Sequence, residues 1–388
     1  MKFRHFIFGI LLIATAALLA PGCRKIEPVV PGESESSETP EAQKIPLVFN
    51  AIADSTMTKA VTNKAMGSAY DKNESFVVFA AYSDSAPFDP TACSDFWDHS
   101  GLVTASYNDY VHAWVPKNAS DATLVYYWPR AGYLTFQAYS PANAPGLTSV
   151  NHTWSNGFTF NDFSVQSAGS QYDLLYTERV ENCQRSNYTV SRNNGYDDDP
   201  NYPTFIYNGI NLAFEHALSL IEVQTSSSLG ANASKKFYVQ KIEIKNAYNK
   251  GTFTQSTVDP ATGTGGWAVN TSTMDDYTVL DKGTDWQLVP GADESPVSVN
   301  PAQTLMLLPQ TLDRGTVGTL ETGTDAYLEV TYKEDASGIT RTAQIRLTDP
   351  WIRGNKYVYK LVFSNFIEFT ATITKWDDQI VGYHRIII

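Results

Sequence analysis

Short β-favouring runs recur along most of the chain after residue 45, and in the clearest of them apolar and polar residues alternate with a period of two. That spacing turns one face of a β-strand toward a core and the other toward water. The clearest case is Phe369–Thr374, where Phe369, Ala371 and Ile373 share one face and Thr370, Thr372 and Thr374 the other. Similar runs rich in Val, Ile, Tyr, Phe and Thr occupy Ile45–Ala51, Phe76–Tyr82, Tyr133–Tyr139, Phe237–Ile244, Tyr327–Lys333, Thr342–Leu347 and Tyr357–Phe363. Clusters of Gly, Pro, Asn, Asp and Ser separate them, which is the punctuation of antiparallel sandwich sheets. Leu212–Val223 has some helical character, but the β-favouring Leu220–Val223 within it predicts strand. Ser83–Asn118, Asn182–Pro203 and Thr252–Thr273 read as long polar loops, of a length that is either functional or disordered. The fold class that follows is all-β.

One run departs from this pattern. Phe6–Ala20 is uncharged and largely apolar, follows Lys2 and Arg4, and leads into Pro21, Gly22 and Cys23. A basic start, an apolar core of that length and small residues before a cut make a secretory signal. The run falls short of the roughly 20 residues that cross a bilayer. Small residues directly before a cysteine resemble the lipobox of bacterial lipoproteins, although the position three before Cys23 is Ala20, with Leu19 one place further out. Residues 1–22 are therefore expected to be removed and Cys23 to carry the acyl chains; the alternative is an ordinary secretory signal with a chance cysteine. Residues 24–44 are dominated by Pro, Ser and Glu. They hold too few apolar groups to fold, so 23–44 reads as a lipidated, disordered tether on which a body stands off the membrane.

The chain carries 28 Lys+Arg against 41 Asp+Glu, and loss of Lys2 and Arg4 leaves 26 against 41, a net charge of −15. That acidity, without a basic stretch, argues against nucleic-acid partners. At about 150 residues per domain the body suggests two domains. The small polar run Thr225–Lys236 places the boundary between 45–225 and 226–388, with Asn201–Pro203 as a competing choice. Beyond Cys23, Cys93 and Cys183 are a candidate disulfide in an oxidising compartment or two separate thiols, and the spacing does not decide which.

Catalytic chemistry has little support. The histidines at 5, 99, 112, 152, 216 and 384 are scattered, and no HExxH, GxSxG or phosphate-cradling glycine loop with a following Lys occurs. Thr262–Gly266 lacks that Lys and reads as a turn. Asp197, Asp198 and Asp199 lack the spaced ligands of a calcium loop. His216, in apolar company, reads as a hydrogen-bonded structural residue. No catalytic residue, cofactor or metal is therefore expected. Of eight Trp, most are expected in cores, with Trp97 and Trp154 in polar loops as the exposed pair. Such a pair would suit a second reading, a surface glycan-binding lipoprotein of a nutrient-uptake system.

Several local patterns recur in a fixed order: Lys59–Val61, Phe76–Tyr82, Tyr127–Pro129, Leu134–Pro141, Gln171–Tyr176, Phe214–Val223, Leu305–Gln310 and Trp351–Leu361. In this order, after a lipoprotein-type signal, they resemble the fimbrillin family of Mfa-like proteins, the type V pilus subunits and relatives of anaerobic gut and oral bacteria. The resemblance spans roughly Ile45 to Trp376. It implies two β-sandwich domains of transthyretin-like topology and no enzyme activity. It also implies a lipid-anchored life at the outer membrane, cell surface or pilus, with other pilus subunits and a host or bacterial surface receptor or glycan as partners. In that scheme a protease clips the chain after a basic residue near its start. The first strand is then lost, and a neighbour's strand fills the groove it leaves.

The residues fit this scheme in part. Leu47, Phe49 and Ala51 share a face of the expected first strand, and Lys59 and Lys64 lie just beyond it in the polar stretch Ser55–Ser68, the candidate processing sites. No Arg lies between Arg24 and Arg130, so an arginine-specific protease would have nothing to cut there. At the other terminus Ile380, Tyr383, Ile386, Ile387 and Ile388 form a candidate donor strand. Consecutive isoleucines are costly to leave in water, at about 1.5–3 kcal/mol each. Their home is either a neighbour's groove or the last strand of their own sheet.

Overall fold

A computed structural model describes residues 45–387 apart from 54–69, 98–101, 110, 119–124, 189, 193–204, 260–264, 300–304, 316–318, 321 and 377–379. Among the described residues the regular structure is strand, with short 3-10 turns at Arg185–Asn187 and Gln255–Thr257. In chain order the strands are β1 (Phe49–Ala53), β2 (Ser75–Ser83), β3 (Ser94–Asp95), β4 (Val103–Asn108), β5 (Ala113–Asn118) and β6 (Tyr133–Ser140). Next come β7 (Ser149–Thr153), β8 (Gly157–Ser164), β9 (Leu175–Thr177), β10 (Val180–Cys183), β11 (Val190–Arg192), β12 (Phe205–Tyr207) and β13 (Ile210–His216). The second half holds β14 (Ser219–Ser227), β15 (Phe237–Tyr248), β16 (Lys250–Thr254), β17 (Trp267–Val269), β18 (Met274–Asp281), β19 (Gln287–Leu288) and β20 (Val297–Ser298). It ends with β21 (Leu305–Leu307), β22 (Tyr327–Glu334), β23 (Thr340–Arg346), β24 (Asn355–Phe363), β25 (Ile367–Lys375) and β26 (Ile380–Ile387).

The first sheet closes on itself. Its order is β10-β6-β9-β13-β1-β5-β4-β2-β3, and β6 also pairs β2, so seven strands form a ring. Inside it lie Leu47, Phe49, Phe76, Phe136, Leu212 and Phe214, all buried. The second sandwich packs β20-β14-β24-β25-β26, with β21 also on β14, over β18-β15-β22-β23, with β19 also on β15. Here the alternation is plain: every second residue of β24, from Asn355 through Tyr357, Tyr359, Leu361 and Phe363, is buried. Two pairings in these sheets are parallel, β1 with β13 and β14 with β24. Hairpins cannot make such neighbours, which need long connections. The fold is the all-β sandwich architecture expected from the residue pattern.

A four-stranded sheet, β17-β16-β8-β7, joins the two halves. β8 pairs β16 antiparallel, and Phe158 and Phe160 enter a core shared with Phe253 and the second sandwich. β14 itself passes through position 225, and its partners β20, β21 and β24 all come from the second half. In β7, His152 stacks on Phe79 at 4.3 Å between ring centres. Its Nε2 lies 2.9 Å from Gln137 Oε1, and because that oxygen only accepts, Nε2 donates.

The two cysteines are free thiols, so the pairing left open by the sequence is not made. Register explains why: Cys183 faces Leu134, Leu134 faces Tyr82, and Tyr82 faces Ser94, the residue after Cys93. Three strand spacings of roughly 4.8 Å separate them by about 14 Å, beyond the roughly 7 Å that two Cα atoms of a disulfide can span. Burial raises both thiol pKa values. With the chain beginning at Arg24, an alkylating reagent should therefore modify two thiols after unfolding without reductant, and Cys93 ahead of buried Cys183 in the native protein. Mass showing an intact disulfide would contradict this.

His152 makes stability depend on pH. Burial, and then the charge of Arg179, pushes its pKa down to about 4. In the unfolded chain it titrates near 6.5. Between those values the unfolded state takes up a proton that the folded state refuses. Stability therefore falls as pH drops from 6.5 toward 4, by about 3 kcal/mol in all. Denaturant titrations across this window should show a shallower loss in His152→Asn, by that order.

Candidate functional site

The first strand is an interior strand of the ring. Before β1 begins, the Trp128 N–H donates to Ile45 O and the Leu47 N–H to Tyr126 O, each near 2.9 Å. From Phe49 to Ala53 the strand lies parallel to Ile210–Phe214 of β13, and on its other side Phe49 faces Trp114 of β5. Leu47 and Phe49 are 1% and 0% exposed. The Phe49 ring meets Phe76 and Phe136 edge-on, at 6.1 and 5.3 Å. Ala51 is buried opposite Leu212, and in the same core Tyr70 packs on Trp114 at 5.4 Å and on Phe214 at 5.1 Å. On the outward face Asn50 Nδ2 donates to Gly209 O at 3.3 Å and to Asn211 Oδ1 at 3.1 Å. A Cβ at Gly209 would sit 2.9 Å from Asn50 Oδ1, so only glycine lets the two chains approach this closely. The sequence-predicted face Leu47, Phe49 and Ala51 is thus the face turned to the core.

The last strand lies at a sheet edge. β26 runs antiparallel to β25, from Ile380 opposite Thr374 to Ile387 opposite Glu368, with an irregularity between Ile373 and Thr374. Among the described residues nothing pairs with its outer side. Ile380, Tyr383, Ile386 and Ile387 belong to this strand, whereas Ile388 lies outside the described residues. Just before it, Trp376 stacks flat on His216, with ring centres 3.9 Å apart and planes within 4°. His216 Nδ1 lies 2.8 Å from the Asp173 carboxylate, to which it donates. His216 is thus hydrogen-bonded and buried, joining the end of β13 to the base of the last strand. Cys23, Lys59 and Lys64 lie outside the described residues.

A cleft of about 290 Å³ opens between the halves, lined by Gln137, Glu178, Arg179, Glu215, Gln255 and Arg353 among others. Its polar groups are engaged with one another. Arg353 pairs with Glu215 at 2.8 Å, Arg179 with Glu181 at 2.9 Å, and Gln255 bonds Glu178 and Gln137 at 3.0 Å. No group of three metal-ligating side chains forms among the described residues. Trp97 and Trp154, expected to be exposed, are both half-buried. Trp97 donates to Val78 O at 3.0 Å and packs on Tyr126, while Trp154 packs on Phe88 and His152. The loops carrying them fold back onto the sandwich, and they do not form an open stacking platform.

The family model described as fimbrillin-like matches residues 58–376. The fold is similar to that of a fimbrial protein from Bacteroides vulgatus, at a TM-score of 0.53 and 14% identity, over 86% of this chain and 100% of that one. The tip fimbrial protein Mfa3 from Porphyromonas gingivalis, C-terminally truncated, aligns at a TM-score of 0.38 and 11% identity, over 86% of this chain and 100% of that one. Among curated proteins none matches. On the match over residues 58–376, the chain belongs to the fimbrillin-like family.

Proposed function

We propose that this protein is a cell-surface subunit of a type V-like pilus, held at the outer membrane by lipid on Cys23 until it is cut and then joined to other subunits by non-catalytic exchange of β-strands. The observation that carries the reading is the placement of β1. The first strand fills the interior of a closed sheet with Leu47 and Phe49, yet it connects to the body through residues 54–69, which hold Lys59 and Lys64. A cut at either lysine severs the strand's covalent tie while leaving the rest of the ring intact. What remains is an apolar slot with unpaired backbone groups on both sides, the kind of template that captures an extended segment.

The termini also suit head-to-tail joining. β1 starts beside the first residue of β13, and the chain passes from β13 almost directly into β14. β26 finishes beside Glu368, near the ends of β14 and β24 at Ser227 and Phe363. Slot and last strand therefore belong to the sheets of two successive strands, β13 and β14, and a contact between such unlike surfaces is head-to-tail. The segment 24–44 supplies the stand-off from the membrane, with adhesion to a surface receptor or glycan as the purpose. No particular observation favours the nutrient-uptake reading, because Trp97 and Trp154 are occupied by their own neighbours.

Limited digestion of Arg24–Ile388 with a Lys-specific protease tests the joint. A cut at Lys59 or Lys64 should let a labelled peptide of Ile45–Ala53 enter the protein, read as a rise in fluorescence anisotropy. Uncut protein and the Lys59→Gln, Lys64→Gln variant should not take it up. Cut protein that stays folded and refuses the peptide would end the strand-exchange reading. For the anchor, Cys23→Ser should move the protein from the outer-membrane fraction to the soluble one; unchanged membrane association would remove lipid from the proposal.

A further inference from the structure

The slot that holds β1 has a readable side-chain code, and the chain's own last strand does not match it. Facing the core, positions 47, 49 and 51 are a large aliphatic, an aromatic and a small residue. The aromatic site is set by Phe76 and Phe136. The small site is Ala51, buried opposite Leu212, and Tyr70 adds its ring to the same core against Trp114 and Phe214. Tyr70 stays with the body after a cut at Lys59 or Lys64, so the code survives the loss of β1. Between the core-facing positions, Gly209 and Asn211 offer an acceptor pair to an amide such as Asn50.

A replacement strand must present three apolar residues at i, i+2 and i+4, whichever way it runs. From Asp378 to Ile388 the chain offers no such set. Each triplet with that spacing contains Asp378, Gln379, His384 or Arg385. Seating any of these beside Phe76, Phe136 and Leu212, with no partner there, is strongly unfavourable.

Resting on the strand-exchange reading above, we infer that the vacated slot takes a strand from a different protein. That strand carries large aliphatic, aromatic and small residues on one face, with an amide-bearing residue between the last two. Copies of this chain then do not polymerise on themselves. The subunit belongs at a junction between unlike subunits, and its last strand serves another groove or its own sheet.

Competition on the cut protein decides this. A peptide of Ile45–Ala53 should bind, and a peptide of Gln379–Ile388 should bind at least about 100-fold more weakly, the cost of burying an unpaired polar group. In the latter peptide, Tyr383→Phe with Arg385→Ala leaves Val381, an aromatic and a small residue at the spacing of Leu47, Phe49 and Ala51. That double change should recover about 10-fold or more of the lost affinity. Native size measurement should show the cut full-length chain without a ladder of oligomers. Similar affinities for the two native peptides, or a ladder formed by cut chains alone, would overturn the inference while leaving strand exchange standing. If the Ile45–Ala53 peptide itself does not bind, the strand-exchange reading fails first and takes the inference with it.

Discussion

The burial of Phe49 and Leu47 between β13 and β5 is the constraint on which the first sandwich depends. The ring of seven strands is continuous only because β1 sits in it, bonded on both sides. An aromatic of this kind buries 150–250 Å² and contributes through edge-on contacts as well as area. Closure also leaves fewer strand edges open to water, and open edges invite unplanned association. The strand that completes the ring is the one nearest the N-terminus, so it is held by many weak interactions and by a single covalent tie.

The second sandwich is linked to the first by more than chain continuity. β8 and β16 put the aromatic residues Phe158, Phe160 and Phe253 into one core across the halves. The His216–Trp376 stack, held by Asp173, fixes the base of the last strand against the end of β13. Across the cleft between the halves Arg353 pairs with Glu215, whose carboxylate also accepts from the Tyr176 hydroxyl. Through these ties the first half is joined to the second by packing and hydrogen bonds as well as by the chain.

Much of this was legible in the sequence where burial is one-sided. Phe369–Thr374 and Tyr357–Phe363 alternate strictly because one face meets the opposing sheet, and both are strands. Ser83–Asn118 read as loop yet contains β3, β4 and β5. In β4 and β5 the buried hydrophobic residues Val103, Ala105, Ala113 and Trp114 are mostly small and sit among Ser, Asn, Lys and Pro, so period and hydrophobicity are both weak. Thr252–Thr273 hid β16 and β17 for the same reason, with Gly and Thr diluting Phe253 and Trp267. The parallel partner of β1 was beyond reach, because Phe49 and Ile210 meet only through the closure of the whole ring. Trp97 and Trp154 misled because polar neighbours in sequence say nothing about where a loop folds back.

The two terminal strands solve opposite problems with the same chemistry. β1 is interior, so its core face is apolar throughout and it is stable only while enclosed. β26 is an edge strand with an open outer side, and edges are kept from unplanned pairing by charges placed along them. His384 and Arg385, between the tyrosine and the isoleucines, supply a polar ring and a charge in sequence. Those same residues make the strand a poor occupant of an interior slot. Protection of a free edge and exclusion from the chain's own groove thus come from one pair of side chains.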